Sequence, residues 1–246
     1  MRSLVSTRPL PVVPMAIGGA WVIAVVAQAS GNAALLHHHA LIEGGPPLWV
    51  ATLIFLVAWQ VMIAAMMLPA SLPAILVFNM QTALALRPYR GPAAFLGSYA
   101  FVSTIFGLLA FMGDVVLHHV VDVTPWLAAR PWLIEASVIA LAGVYQFAPL
   151  KRYSLSMCRH PTSPPPTATP PRRRPSRLGF DHGLACLGSS GALMLLMFAE
   201  GFANLWWMVA LTAVIVYEAT GRFSQRAASA VGVVLLVVAA GMLVTN

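Results

Sequence analysis

Long apolar runs alternate along the chain with short polar or basic stretches. The runs cover about residues 11–30, 48–86, 92–112, 131–150, 183–199, 202–217 and 227–244. A helix needs roughly 20 apolar residues to cross a bilayer core about 30 Å thick, and most of these runs come close to that length. The second run carries Pro69 and Pro73, which are expected to kink or end a straight helix. It reads as one span starting near Leu48, with a bent extension beyond Pro69. Two crossings there are the alternative, but they would place Arg87 and Arg90 on the far side. The third run ends at Met112, leaving Asp114, His118, His119 and Asp122 in a loop. The fold class that follows is all-α: a polytopic transmembrane helix bundle of about seven spans.

One stretch breaks the pattern differently. Residues 159–178 are rich in Pro, Ser, Thr and Arg, including Pro164-Pro165-Pro166 and Arg172-Arg173-Arg174. Such a segment has little apolar surface to bury and is expected to be extended or disordered. It divides the chain into a membrane domain at 1–158 with four spans, a cytoplasmic linker at 159–178, and a membrane domain at 179–246 with three.

Composition agrees with lipid as the solvent. The chain is 59% hydrophobic and 9% charged, whereas soluble domains carry roughly a quarter charged residues. The formal charge of +7 would suggest nucleic acid in a soluble domain. Its distribution points elsewhere. Of 14 Lys and Arg residues, all but Arg130 fall in four short stretches: Arg2/Arg8, Arg87/Arg90, Lys151 to Arg177, and Arg222/Arg226. Positive loops mark the cytoplasmic side, so the N-terminus is expected inside and the C-terminus outside, in a multi-pass protein of a bacterial cytoplasmic membrane. Ala27-Gln28-Ala29 also fits a signal-peptide cleavage site, although the apolar stretch before it is long enough to span.

Candidate chemistry lies in soft side chains. Met62 and Met66 are four residues apart and share a helix face. Thioethers are neutral, soft ligands suited to Cu(I), although Met is also ordinary apolar filler. His182 and Cys186 are likewise four apart, stacking an imidazole above a thiol, a workable half-site for copper or zinc. Cys158 and His160 follow the fourth span on the same side, so these N and S donors converge if the inner ends of spans four and five pack together. A structural disulfide is not expected in a reducing compartment. His37–His39 and His118/His119 read as solvated loop residues. Glu135 and Glu200 are acids at membrane depth, which are costly and therefore functional candidates. Glu218 is expected to pair with Arg222 at i,i+4. No nucleophile, base and orienting group can be assembled from the spacing, so an enzyme is not expected.

Three blocks carry a resemblance. The first is Trp59, Met62, Ala65-Met66-Met67, Pro69 and Pro73. The second is Tyr145, Pro149, Lys151, Leu155, Cys158, Arg159 and Pro161. The third is His182-Gly183, Cys186, Gly188, Leu193-Met194, Gly201, Asn204, Trp207-Met208 and Glu218. Together they resemble a bacterial family of predicted metal-binding integral membrane proteins, some linked to copper delivery to polyphenol oxidases. The family's third block resembles C-x-G-C-C-W, where this chain has Ser189-Ser190-Gly191 after Gly188. Ser154 stands where the family has the first Cys of a pair, and Ala203 where it has a Met. Serine is a poor ligand for soft metal. A Met-based Cu(I) site, or a scaffold that has lost its metal, fits these departures better than tight thiolate binding.

The resemblance implies a copper chaperone or insertion factor for a partner metalloprotein such as a copper-dependent oxidase. Its candidate metal ligands are Met62, Met66, Met67, Cys158, His182 and Cys186. One alternative is an assembly subunit that packs on another membrane protein through small residues. Another is a transporter using Glu135 and Glu200. The expected partners are the lipid bilayer and a membrane or copper protein, with no nucleic acid.

Overall fold

The structure is a computed structural model, and it describes residues 12–30, 46–82, 90–159, 175–200 and 205–245. Secondary structure among them is helical throughout, with no strand. Helix α1 spans Val12–Ala29, α2 Leu48–Thr82, α3 Arg90–Asp122, α4 Pro125–Ala128 and α5 Pro131–Tyr145. Then come α6 at Pro149–Arg159, α7 at Pro175–Glu200, α8 at Leu205–Thr220 and α9 at Ser224–Thr245. Helices α1, α2, α3, α7 and α9 are long and apolar enough to cross a membrane. The pair α5 and α6 makes a sixth if a 63° bend between them lies within one span. The expected sixth span, at 202–217, falls on α8, an apolar helix of 16 residues. Large apolar side chains such as Val22, Val26, Leu53, Val57, Leu109, Val234 and Val237 stand exposed on these helices, which is compatible with a lipid-facing surface.

Helix α7 is the hub. It packs on α3, α6, α5 and α8, while α1 lies on α2, and α9 on α5. Small residues set the closest approaches. A Cβ at Gly179 of α7 would collide with the backbone of Phe95 on α3, and one at Gly183 would lie 3.1 Å from Val102. On the other side of the bundle, a Cβ at Gly143 of α5 would fall 3.2 Å from the carbonyl oxygen of Gly232 on α9. The Trp59 indole lies against Gly107 of α3, where a Cβ would sit 2.7 Å from the ring, and its Nε1 donates to the Ser103 carbonyl at 2.8 Å.

Helix α2 runs unbroken through Pro69 and Pro73, where the sequence suggested a kink or an end. A proline has no N–H, so Pro69 leaves the Ala65 carbonyl without its helical donor. Trp21 of α1 supplies the replacement: its Nε1 donates to Ala65 O at 3.2 Å. Neighbouring helices re-satisfying freed backbone groups is how prolines are tolerated where water is absent.

Three other boundaries differ from expectation. Helix α3 continues to Asp122, so Asp114, His118 and His119 sit on its last turns, with His118 Nδ1 2.9 Å from the Asp114 carbonyl oxygen. The fourth apolar run stops at Tyr145, and the chain turns through Gln146–Ala148 into α6. Lys151, Ser154 and Leu155 are buried on one side of α6, while Arg152, Tyr153 and Ser156 are exposed on the other. Helix α7 begins at Pro175, so residues 175–178, assigned to the linker, form its first turn. The rest of the linker after Arg159, with His37–His39 and His160, lies outside the described residues.

The Trp21 bond makes a testable coupling. Trp21→Phe should destabilise the protein by about 1–2 kcal/mol, the cost of a stranded buried acceptor. In a Pro69→Ala background residue 69 supplies its own N–H, and the same change should cost much less. Thermal unfolding of the four proteins in detergent measures this coupling, and equal costs in both backgrounds would refute the compensation.

Candidate metal centre

Four helices build one small pocket. Helix α7 presents His182, Cys186, Ser189 and Ser190, spaced so that they stack on successive turns of one face. Opposite them stand Ser71 of α2, Leu155 and Cys158 of α6, and Ile215 and Glu218 of α8. The cavity volume is about 10 Å³, room for a single small occupant. Behind its wall Met67 of α2 and Tyr99 of α3 complete the cluster. The Cys186 thiol lies 3.6 Å from Met67 Sδ and 3.3 Å from the Tyr99 hydroxyl.

The two prolines of α2 matter here. Because the helix continues past Pro69, Met67 and Ser71 are four residues apart on one face and meet α7 in antiparallel register. Ser71 Oγ is 3.1 Å from His182 Nε2, and Met67 Sδ lies 3.4 Å from Ser190 Oγ. His182 is buried, with the Phe95 and Tyr99 rings centred 5.7 and 5.9 Å away. Its other ring nitrogen, Nδ1, is buried without a hydrogen-bond partner.

Ser154, Ser189 and Ser190 gather at the same place. Ser189 Oγ donates to the Cys186 carbonyl at 2.9 Å and lies 3.7 Å from Cys158 Sγ, and Ser190 Oγ donates to the same carbonyl at 2.7 Å. Ser154 is buried against Gly188, where any Cβ would strike its hydroxyl.

Of the six candidate ligands, the fold brings four together: Met67, Cys158, His182 and Cys186. Met62 and Met66 are buried in the main apolar core and do not line the pocket. The methionine face singled out by spacing is therefore not the one at the cluster; its neighbour Met67 is. Glu218 also departs from expectation. It does not pair with Arg222. Its Oε2 accepts from Lys151 Nζ at 2.7 Å, both side chains being almost fully buried, while Oε1 has no partner. No local spacing could reveal this pair, since its members are 67 residues apart. Both do appear in the resemblance blocks, which was the available signal.

Glu135 is exposed and lines a separate cavity of about 690 Å³ with Asp114, His118 and Tyr145. That cavity lies along a different part of α7, at Leu187, Gly191, Ala192 and Leu195. Glu200 ends α7.

Among the described residues, no group of three or more His, Cys, Asp or Glu side chains is placed to hold a metal ion. A metal here must therefore recruit the thioether. Tetrahedral metal–sulfur bonds of about 2.3 Å hold two sulfurs roughly 3.7 Å apart, which matches the Cys186–Met67 spacing. Thiol, thioether and imidazole are soft to borderline donors, the set that favours Cu(I) over hard cations.

A family model described as PpoB2, copper chaperone, matches residues 56–242. The chain belongs to this copper chaperone family. The match runs from within α2 into α9 and takes in every residue of the pocket. No curated protein and no solved structure matches the chain.

The two thiols differ in access. Cys186 is 5% exposed, and Cys158 is only partly buried. In the folded protein a small maleimide should modify Cys158 well before Cys186, which should react only on unfolding. Peptide mass spectrometry reads the order, and equal rates would contradict this placement.

Proposed function

We propose that the protein is a non-enzymatic copper chaperone of a bacterial cytoplasmic membrane, which holds Cu(I) at the pocket between α2, α6, α7 and α8 and passes it to a partner copper protein. The observation that carries this reading is the Met67–Cys186 sulfur pair beside His182, in a chain whose family is described by copper delivery. Met67, Cys186 and His182 are the primary donors in this reading. Cys158, on the short helix α6 and partly exposed, is the donor through which the ion enters or leaves. The basic residues of Lys151 to Arg177 and Arg222/Arg226 put this end of the bundle on the cytoplasmic side by the positive-inside rule, with seven crossings in which α8 is the shortest.

Serines at 154, 189 and 190 shape the behaviour expected of the site. A hydroxyl is a poor donor for a soft cation, so fewer strong ligands surround the ion than in a member with thiols at these positions. Ligand exchange onto a partner is correspondingly easier. Delivery of this kind needs no nucleotide, in keeping with a chain that carries no Walker A motif. The partner is a copper-dependent oxidase or another membrane-associated copper protein that offers a stronger donor set.

Copper bound to protein purified under reducing conditions tests the reading. One Cu(I) per chain is expected. Met67→Leu and Cys186→Ser should each weaken binding by about tenfold or more, roughly 1.4 kcal/mol. Met62→Leu should leave it unchanged, because the thioether beside Cys186 is that of Met67. Restoring thiols with Ser189→Cys and Ser190→Cys should tighten binding. Absence of copper above background in the wild type would sink the reading, and an equal effect of Met62→Leu and Met67→Leu would move the site.

A further inference from the structure

The cavity of about 690 Å³ beside Glu135 takes no part in holding copper. Its shape follows from the packing. Helices α3 and α5 both lie on α7, and the short helix α4 packs on both of them, so a slot remains between α3 and α5. Along α3 the lining residues recur every three or four positions from Phe106 through Gly113 to Val121, and along α5 from Pro131 through Val138 to Tyr145. Each stripe keeps to one helix face. At 1.5 Å per residue the slot runs roughly 22 Å along the helix axes, most of a bilayer core about 30 Å thick. The volume is small for that length, since a helix of about 10–12 Å diameter would need roughly three times as much. Small residues keep the slot open: a Cβ at Gly113 would meet nothing within 4 Å.

The polar groups of the slot lie between its middle and the end under α4. Asp114, Asp122 and Glu135 are there, three of the chain's seven acidic residues. His118 Nδ1 stands 3.5 Å from Asp114 Oδ1. Towards the other end the lining is apolar as far as Tyr145, whose hydroxyl donates to the Gly188 carbonyl at 2.7 Å. Acidic at one end and apolar at the other, the slot complements an amphiphile with a cationic head and a narrow tail. A metal ion is a poor match, because among the described residues no three His, Cys, Asp or Glu side chains are placed to hold one. An organic ammonium asks for no such geometry, since its three N–H donors each take an oxygen separately. Arg130, the one basic residue outside the four basic stretches, sits in the turn between Ala128 and Pro131, which both line this end. It brings positive charge to the same level.

We propose that the slot between α3 and α5 is a binding site for a membrane aminophospholipid. The primary ammonium of an ethanolamine headgroup sits among the carboxylates of Asp114, Asp122 and Glu135, and one acyl chain lies along the apolar stripes towards Tyr145. The chain covers walls that the protein leaves open and fills the gap between two helices that α7 and α4 hold apart. This site stands independently of copper: it meets α7 at Leu187, Gly191 and Leu195, whereas His182 and Cys186 line the other pocket.

Native mass spectrometry of the full-length protein, delipidated in mild detergent, tests the head and the tail separately. The protein is titrated with phosphatidylethanolamine or with phosphatidylglycerol of the same acyl chains. One phosphatidylethanolamine per chain is expected, held about fivefold more tightly than phosphatidylglycerol, the scale of partly exposed ion pairs. Asp122→Asn combined with Glu135→Gln changes two exposed side chains, so the fold should be spared. It should bring the two lipids to equal affinity. Gly113→Leu puts a side chain into the open slot while replacing glycine by a better helix former, and it should weaken both lipids alike. Equal binding of the two lipids by the wild type overturns the proposal, as does a preference that survives the double variant or binding that Gly113→Leu leaves untouched. A dimer mass that Gly113→Leu dissociates also overturns it, because a second copy would then be the occupant.

Discussion

Away from water, a backbone carbonyl that loses its helical donor must find another, and the arrangement of this protein depends on how that is met at Pro69. The Trp21 indole reaches Ala65 O at 3.2 Å, so α2 continues as one helix from Leu48 to Thr82. Continuity keeps Met67 and Ser71 on one face, one turn apart on either side of the proline. Ser71 then meets His182 while Met67 meets Cys186 and Ser190. A break at Pro69 would swing Ser71 out of that register and open the pocket on the α2 side. Helix α1, which precedes the family match at residues 56–242, thus supports the site without touching it.

The second constraint is electrostatic. Burying Lys151 and Glu218 together is a weak source of stability, since desolvation offsets most of their attraction. Its stronger consequence is positional. The pair fastens α6 to α8, and Arg159 adds a bond of 2.8 Å to Ser224 at the start of α9. Helix α6 is short, set off from α5 by a 63° bend, and mostly polar on its outer side. These anchors add to the packing of Ser154 and Leu155, which seats α6 and Cys158 against α7.

Much of this was legible in the chain. Apolar runs located the long helices, because a helix in lipid is recognised by composition over its whole length. The charge clusters and the i,i+4 spacing placed Cys158, His182 and Cys186 at one end of the bundle, and the fold brings them to one pocket. What was not legible depended on distant partners. Pro69 looked like a break because its compensation comes from Trp21, 44 residues before the Ala65 carbonyl that it caps. Glu218 looked like a partner of Arg222 because i,i+4 is the nearest pairing in sequence; its real partner reaches it from α6. The Met62/Met66 spacing shows which side chains share a face and not which face meets α7; the thioether beside Cys186 is that of Met67. Helix α6 was hidden inside a run read as one span and its polar sequel.

Ser189 and Ser190 are best understood together with the pocket they line. Thiolates would bring both strong donors and negative charge, and would make a cuprous ion difficult to remove. Hydroxyls at Ser189 and Ser190 bring neither, and they turn inward to the Cys186 carbonyl at 2.9 and 2.7 Å. Cys186, which would bind a metal as its thiolate, is then the anionic donor of the cluster. A carrier must accept its cargo selectively and still release it. Soft sulfur donors would supply the selectivity, and hydroxyls where further thiols could stand would limit the hold.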